Sequence, residues 1–199
     1  MDQGTEEWHA ARLGKVTASK VADLIVKKAG RDNYMAQLVC ERLTGKKTEG
    51  YSNSDMEWGI ETEKFARAAY EIKKGVMVEE VGFVGHPTIE MSGASPDGFV
   101  QDGKQIGLIE IKCPKTATHL DYLMTGIVPG KYITQMQWQM CCTGTNWCDF
   151  LSFDPRLPEN LQMFIKRIPY DPTYVAMLEK EVIQFLGDLD EMIVKLEKI

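Results

Sequence analysis

The sequence contains no run of about eighteen uncharged apolar residues, so no segment is built to cross a bilayer as a helix. It also lacks a basic leader followed by an apolar stretch. Met1 is followed by Asp2, Glu6 and Glu7, which argues against export by such a signal and for a cytoplasmic protein. Nothing repeats at a fixed period, and there is no low-complexity tract or long block of like charge, so a single unit over residues 1–199 is expected. An excess of positive charge is missing too. A net charge of −6 argues against non-specific coating of nucleic acid by counterion release, although a local basic lining or a bound metal ion can still supply a positive field where phosphates sit. The five cysteines, Cys40, Cys113, Cys141, Cys142 and Cys148, are odd in number and show no C-x-x-C spacing. Reduced thiols are expected, with neither disulfides nor an iron–sulfur cluster. His9, His86 and His119 make no H-x-x-x-H pattern, which speaks against a zinc hydrolase.

What remains is an ordinary folded composition, 44% hydrophobic and 26% charged. From Glu7 the pattern predicts a helical entry, a break at Gly14, and a second helix starting at Thr17-Ala18-Ser19 with Val21, Leu24 and Ile25 inward. Residues 33–44 predict another helix. Ser54-Asp55-Met56-Glu57 reads as a capping box for a helix that runs to Lys74 and stops at Gly75. Val76 to Lys112 is β-rich, punctuated by Gly85-His86-Pro87, Pro96-Asp97-Gly98 and Asp102-Gly103, and predicts adjacent antiparallel strands. Helices follow Pro114, including Tyr132 to Thr143 with Gly144 as its stop, and then strands near Trp147 to Phe153 and Met163 to Ile168. Asp171-Pro172 caps a final helix, about 171–198, whose apolar stripe is Met177, Leu178, Val182, Phe185, Leu186, Leu189, Ile193 and Leu196. The expected fold is α/β (α+β): a central mixed sheet flanked by helices over a core of about 7–170, closed by that helix.

The chemistry concentrates in Ser95-Pro96-Asp97-Gly98 and Glu110-Ile111-Lys112-Cys113-Pro114. Residues two apart on a strand share a face, so Glu110 and Lys112 stand side by side while Ile109 and Ile111 point into the core. If the hairpin centres between Gly103 and Lys104, Asp97 falls opposite Glu110, with Cβ atoms about 4.5–5.5 Å apart. Two carboxylates that close repel, and a hard divalent cation relieves the repulsion. With the Ile111 carbonyl as a third ligand they make an oxygen shell for Mg²⁺ or Mn²⁺. Such an ion activates water against a phosphodiester, and Lys112 would stabilise the developing charge. The plainer reading is a solvated Glu–Lys pair beside a Pro-Asp-Gly turn.

The order Pro-Asp then Glu-x-Lys resembles the signature of the PD-(D/E)XK nuclease superfamily, with its restriction-endonuclease-like core. Further pieces are similar to its phage lambda exonuclease, or YqaJ-like viral recombinase, branch. They are Trp8-His9-Ala10-Ala11-Arg12-Leu13-Gly14 with Thr17-Ala18-Ser19, Trp58-Gly59 with Glu63, and Tyr132 to Gln137 carrying Gln135 and Gln137. Arg12 offers a fork of donors and Ser19 lies at a helix start, both suited to an anion. The resemblance implies that they hold the 5′-phosphate of a DNA end; otherwise Ser19 is a cap and Arg12 a surface residue. Glu63 shares a helical face with Met56, Ile60 and Tyr70, an odd place for an unpaired carboxylate, and by resemblance completes the metal site. Glu61 replaces it if the helix phase differs. By the same resemblance Gln135 orients the water or the phosphate, Ser95 lines the site, and Met56 helps part the strands. Lys27, Lys28 and Arg31 form a basic cluster that either grips the duplex or is solvated surface.

The resemblance implies a Mg²⁺-dependent exodeoxyribonuclease that degrades one strand of linear duplex DNA from the 5′ end and leaves a 3′ overhang for recombination. It also implies a homotrimeric ring around the DNA, a single-strand annealing partner, and a phage or prophage origin in a bacterial host. Two rivals remain: a restriction-like or structure-specific endonuclease with the same core, and a non-catalytic DNA-end-binding protein.

Overall fold

The computed structural model describes residues 2–26, 28–48 and 54–199. A short helix α1 (Glu6–Arg12) leads through strand β1 (Val16–Thr17) into α2 (Ala18–Val26), α3 (Lys28–Thr44) and α4 (Ser54–Lys74). Strands β2 (Val78–Glu79), β3 (Val84–Gly85), β4 (Ser92–Ala94), β5 (Gly98–Asp102) and β6 (Gln105–Lys112) follow. Then come α5 (Thr116–Thr125), α6 (Gly130–Thr143), β7 (Trp147–Phe153), β8 (Met163–Pro169) and α7 (Pro172–Leu196). The breaks fall where glycine relieves left-handed backbone: Gly14, Gly75 and Gly144 have φ of 68°, 66° and 70°. Asp171 caps α7 by accepting from the backbone N–H groups of Thr173 and Tyr174.

The main sheet runs β2-β5-β6-β7-β8, antiparallel except for the parallel pair β6 and β7, which α5 and α6 connect. Strict alternation sorts its two faces. Ile109, Ile111, Trp147, Leu151 and Phe153 pack under α4 with Ala66 and Tyr70. Leu108, Cys148 and Phe150 pack under α5 and α6 with Tyr122, Met136 and Met140. A third core joins α2, α3, α6 and α7 around Val21, Leu24, Leu38, Trp138, Phe185 and Leu189.

The β-rich stretch does not form one antiparallel series. It divides, because β4 leaves for a second small sheet, β1-β4-β3, where it runs parallel to β1. Gly93 permits that packing: a Cβ there would lie 2.3 Å from the Phe83 ring and 2.5 Å from the Val84 carbonyl. The Ser92 hydroxyl donates to the Val16 carbonyl (2.9 Å), and Pro96 interrupts the chain before β5. Two stripe positions also differ from expectation. Met177 and Leu196 are 39% and 40% exposed, since the buried stripe of α7 is Val175, Leu178, Val182, Phe185, Leu186 and Leu189.

At the C-terminal end of β7, Asp154 is fully buried. It accepts from Arg156 Nε (2.7 Å), Arg156 Nη2 (2.9 Å), the Arg156 backbone N–H (3.0 Å) and Thr116 Oγ1 (2.6 Å). Arg156 also donates to the Pro114 carbonyl (3.2 Å) and lies 4.5 Å from the Trp58 ring centroid, so β7, the segment after β6 and α4 are fastened together. Burial pushes the Asp154 carboxyl upward, but the bonds from Arg156 and Thr116 win and hold it down at about 2. A carboxyl depressed by folding adds stability above its ordinary pKa and loses it as pH falls toward the folded value. Asp154→Asn should therefore cost roughly 2 kcal/mol at pH 7, with the difference from the parent shrinking between pH 4 and pH 2 in urea melts.

Candidate active site

The register pairs Asp102 with Gln105 and ends at Gly98 with Ile109, so the hairpin centres between Gly103 and Lys104. One residue further, Asp97 stands across from Glu110. Beyond that point β6 has a neighbour on one side only, β7, through Ile111 with Leu151 and Lys112 with Ser152. The Ile111 N–H turns to the open side and donates to Asp97 Oδ2 (2.6 Å). A strand residue directs its N–H and C=O to the same edge, so the Ile111 carbonyl also faces this gap, past the end of β5.

Glu110 is 0% exposed, which removes the reading of a solvated ion pair. Its Oε1 contacts Lys112 Nζ and accepts from Gln135 Nε2 (2.7 Å), while its Oε2 accepts from Gln139 Nε2 (2.6 Å). Both amides come from α6, one turn apart and on one face. Gln139 escaped the sequence reading; the signal that could have found it is its i+4 spacing from Gln135 along an apolar helix. Gln137, by contrast, serves structure: it donates to the Pro169 carbonyl (2.7 Å) and accepts from the Asp171 N–H (2.8 Å).

An open cleft of about 540 Å³ is lined by Ser19, Gly59, Glu63, Ile111, Lys112 and Gln135, among others. Glu63 is at the site as expected, but it is not unpaired. Arg67 one turn on donates to its Oε1 (2.9 Å) and also pairs with Glu80. Ile60, expected to share an inward face, is 75% exposed, so only the Tyr70 end of that face is buried. Glu61 is exposed and does not line the cleft. The acids feel one another. Burial first, then Glu110 and Glu63, raise the Asp97 carboxyl well above its ordinary value; burial also raises Glu63, against Arg67 and Lys112. Burial would lower the Lys112 ammonium, but Glu110 and Asp97 outweigh it and raise the group, so Lys112 stays charged. Tyr132 forms an aromatic wall with Lys112 and Lys131 Nζ 5.4 and 4.7 Å from its ring centroid.

A second, smaller pocket of about 140 Å³ adjoins the cleft, and Ser19 lines both. Arg12, Lys15, Lys20 and Lys47 make it basic. Arg12 stacks 4.0 Å over Trp8, and both donate to Ser95 Oγ at 2.9 Å, which leaves the serine proton free for an incoming acceptor. Burial lowers the Arg12 pKa against the opposing pull of Tyr34 and Glu41, yet a guanidinium remains cationic. The pocket wall includes Glu41, whose carboxylate is taken up by the Gly14 N–H (3.0 Å), Gln37 (2.9 Å) and Thr48 (3.1 Å).

Arg31 is not brought to either pocket. It bonds Asp188 (2.5 Å) and lies 5.0 Å from the Phe185 ring centroid, so it fastens α3 to α7. Lys27 lies outside the described residues, as do the side chains of Lys28 and Met56. Elsewhere His86 Nε2 lies 3.3 Å from Cys141 Sγ and 3.4 Å from Glu179 Oε1, a grouping of metal-ligand types. However, His86 Nδ1 accepts from the backbone N–H groups of Thr88 (3.3 Å) and Ile89 (3.1 Å). That places the ring proton on Nε2, the atom a metal would need. Burial lowers the His86 pKa, in keeping with a neutral ring.

At the end of β6, by contrast, the donors suit a hard divalent cation. Asp97, Glu110, Glu63 and the Ile111 carbonyl supply oxygen only, and the mutual repulsion of buried acids is what such an ion relieves. The fold and the site together define an exonuclease of the PD-(D/E)XK type. The chain belongs to the YqaJ-like viral recombinase family, whose domain model matches residues 7–146. It is similar to the alkaline exonuclease LHK-Exo of Laribacter hongkongensis, at 53% identity, 98% of this chain and 97% of that chain covered, and a TM-score of 0.92. It matches LHK-Exo in complex with dAMP over the same shares at 54% identity, also with a TM-score of 0.92. A phage-related exonuclease from Haemophilus somnus, 16% identical over 92% of this chain and 96% of that one, shares the fold with a TM-score of 0.71. The uncharacterized protein R354 of Acanthamoeba polyphaga mimivirus is 27% identical over 163 residues. The match covers 75% of this chain but 29% of that protein, so the chain spans less than a third of its length.

Proposed function

We propose that the chain is a Mg²⁺-dependent exodeoxyribonuclease that removes one strand of linear duplex DNA in the 5′-to-3′ direction and leaves a 3′ overhang for annealing-type recombination. The observation that carries this reading is the continuity of a small basic pocket with the carboxylate cleft through Ser19. The pocket, small and lined by Arg12, Lys15, Lys20 and Lys47, suits a terminal phosphate. The cleft beside it has room for the next phosphodiester. Docking a 5′-phosphate against Arg12, Ser19 and Ser95 would set the scissile bond at the end of β6 and so give polarity. The complex of the similar LHK-Exo with dAMP, a nucleoside 5′-monophosphate, agrees with such a product.

Asp97, Glu110 and the Ile111 carbonyl, with Glu63 beside them, would hold a divalent cation, which would supply positive charge against the phosphate and lower the pKa of a bound water. The residues do the rest. Lys112, held as an ammonium, offsets charge that grows on the phosphoryl oxygens and is unsuited to act as a base. Gln135 keeps the Glu110 carboxylate turned while facing the cleft, where it can orient substrate. The low net charge fits retention on DNA by a ring of three copies, and Phe65, Ile72 and Met77, exposed apolar side chains on and just after α4, offer contact area for one. A single-strand annealing protein would take up the overhang, and a phage-encoded enzyme acting in the host cytoplasm fits the family.

The test is gel analysis of linear duplexes labelled separately at the 5′ and 3′ ends, beside the closed circle, in Mg²⁺ and in EDTA. Early release of the 5′ label, a spared circle and silence in EDTA are expected. Early loss of the 3′ label would reverse the polarity, cutting of the circle would favour an endonuclease, and no cutting at all would favour a DNA-end-binding protein.

A further inference from the structure

Two glutamines of α6 hold the same carboxylate, and their surroundings differ. Gln135 lines the cleft and is open to substrate. Gln139 is 0% exposed, sealed between α6 and the sheet, and reaches Glu110 Oε2 (2.6 Å) from the interior. Its other end is unsatisfied: Gln139 Oε1 is buried with no hydrogen-bond partner among the described residues. An amide with one end orphaned in a core is a net burden, because the acceptor has given up its water for nothing. Methionine, of nearly the same length, would fill the space without that burden. The position therefore makes physical sense only through what the Nε2 end does.

We infer that Gln139 is a positioning residue: it fixes the plane of the Glu110 carboxylate from the buried side, so that the oxygens meet the cation in one orientation. This rests on the metal-dependent reading above. Lys112 and Gln135 both act on Oε1, from the cleft side. Without a donor on Oε2 the carboxylate can rotate about its terminal bond, since that torsion is broad and soft. Gln139 never meets DNA, so it shapes metal binding and turnover and leaves the hold on the DNA end alone.

Gln139→Met tests this in the full-length protein. Titration of Mg²⁺ into the metal-free protein by calorimetry should show affinity about tenfold weaker, and turnover on 5′-phosphorylated duplex should fall by about ten- to a hundredfold. KM for DNA should stay within about twofold, since the removed contact is not with substrate. Gln137→Met, at the buried structural glutamine of the same helix, should lower the thermal midpoint and leave Mg²⁺ affinity at the parent value. Parent-level Mg²⁺ affinity and turnover in Gln139→Met overturn the inference. Should that variant not fold, the side-chain amide of Gln139 in the parent, followed by NMR, must shift as Mg²⁺ is added; a static resonance overturns it as well. A parent protein that neither binds Mg²⁺ nor cuts DNA would instead remove the metal-dependent reading beneath it.

Discussion

Asp97→Asn is expected to remove hydrolysis of linear duplex DNA, with turnover down by at least about a thousandfold, equivalent to roughly 4 kcal/mol of transition-state stabilisation. The asparagine keeps an oxygen that can accept from the Ile111 N–H, so the loop before β5 stays in place and only the charge is lost. Two further readouts separate this from unfolding. Binding of a 5′-phosphorylated end in EDTA should match the parent, because the pocket lined by Arg12 and Ser19 is untouched. In EDTA at neutral pH the variant should also melt higher than the parent. Asp97 is held well above its ordinary pKa by burial, Glu110 and Glu63, so its ionised form costs stability when no cation is present. A variant that melts lower and still cuts would show that Asp97 is structural and that the three acids do not form one site.

Arg12→Ala should abolish the preference for a phosphorylated 5′ end. Hydrogen bonds to a charged partner contribute about 1.5–3 kcal/mol, so initiation on phosphorylated ends should slow by roughly ten- to a hundredfold. Initiation on 5′-hydroxyl ends, which never used the contact, should stay near the parent value. Arg12→Lys restores charge without the planar fork that reaches Ser95 and stacks on Trp8, and should recover only part of the preference. Competition between the two end types in one reaction, read from labelled products, gives the ratio directly. An unchanged ratio in Arg12→Ala would place the end-recognition site elsewhere.

The parts of the fold that local chemistry dictates were legible in the sequence. Asp102-Gly103 centres the β5–β6 hairpin, and that register alone carries Asp97 to Glu110; Gly75 and Gly144 stop α4 and α6; Asp171-Pro172 starts α7. What depended on packing between distant segments was not legible. β4 reads as one more strand in a series, and only its contacts with β1 and Phe83 reveal a second sheet. Arg31 reads as part of a basic cluster until Asp188, in the last helix, claims it. Glu63 reads as unpaired although Arg67 stands at i+4, a partner that helical spacing alone could have supplied. Gln139 and Asp154 carry no motif of their own. Their importance comes from burial against Glu110 and Arg156, which a linear reading does not weigh.

On the proposed mechanism, Asp97, Glu110 and the Ile111 carbonyl hold one cation at the open end of β6. Crystals grown in Mn²⁺ and measured near the manganese absorption edge address it directly. An anomalous peak is expected within coordination distance of both carboxylates and the Ile111 oxygen, absent in Asp97→Asn. A peak at His86, Cys141 and Glu179 instead, or none near Glu110, would contradict it.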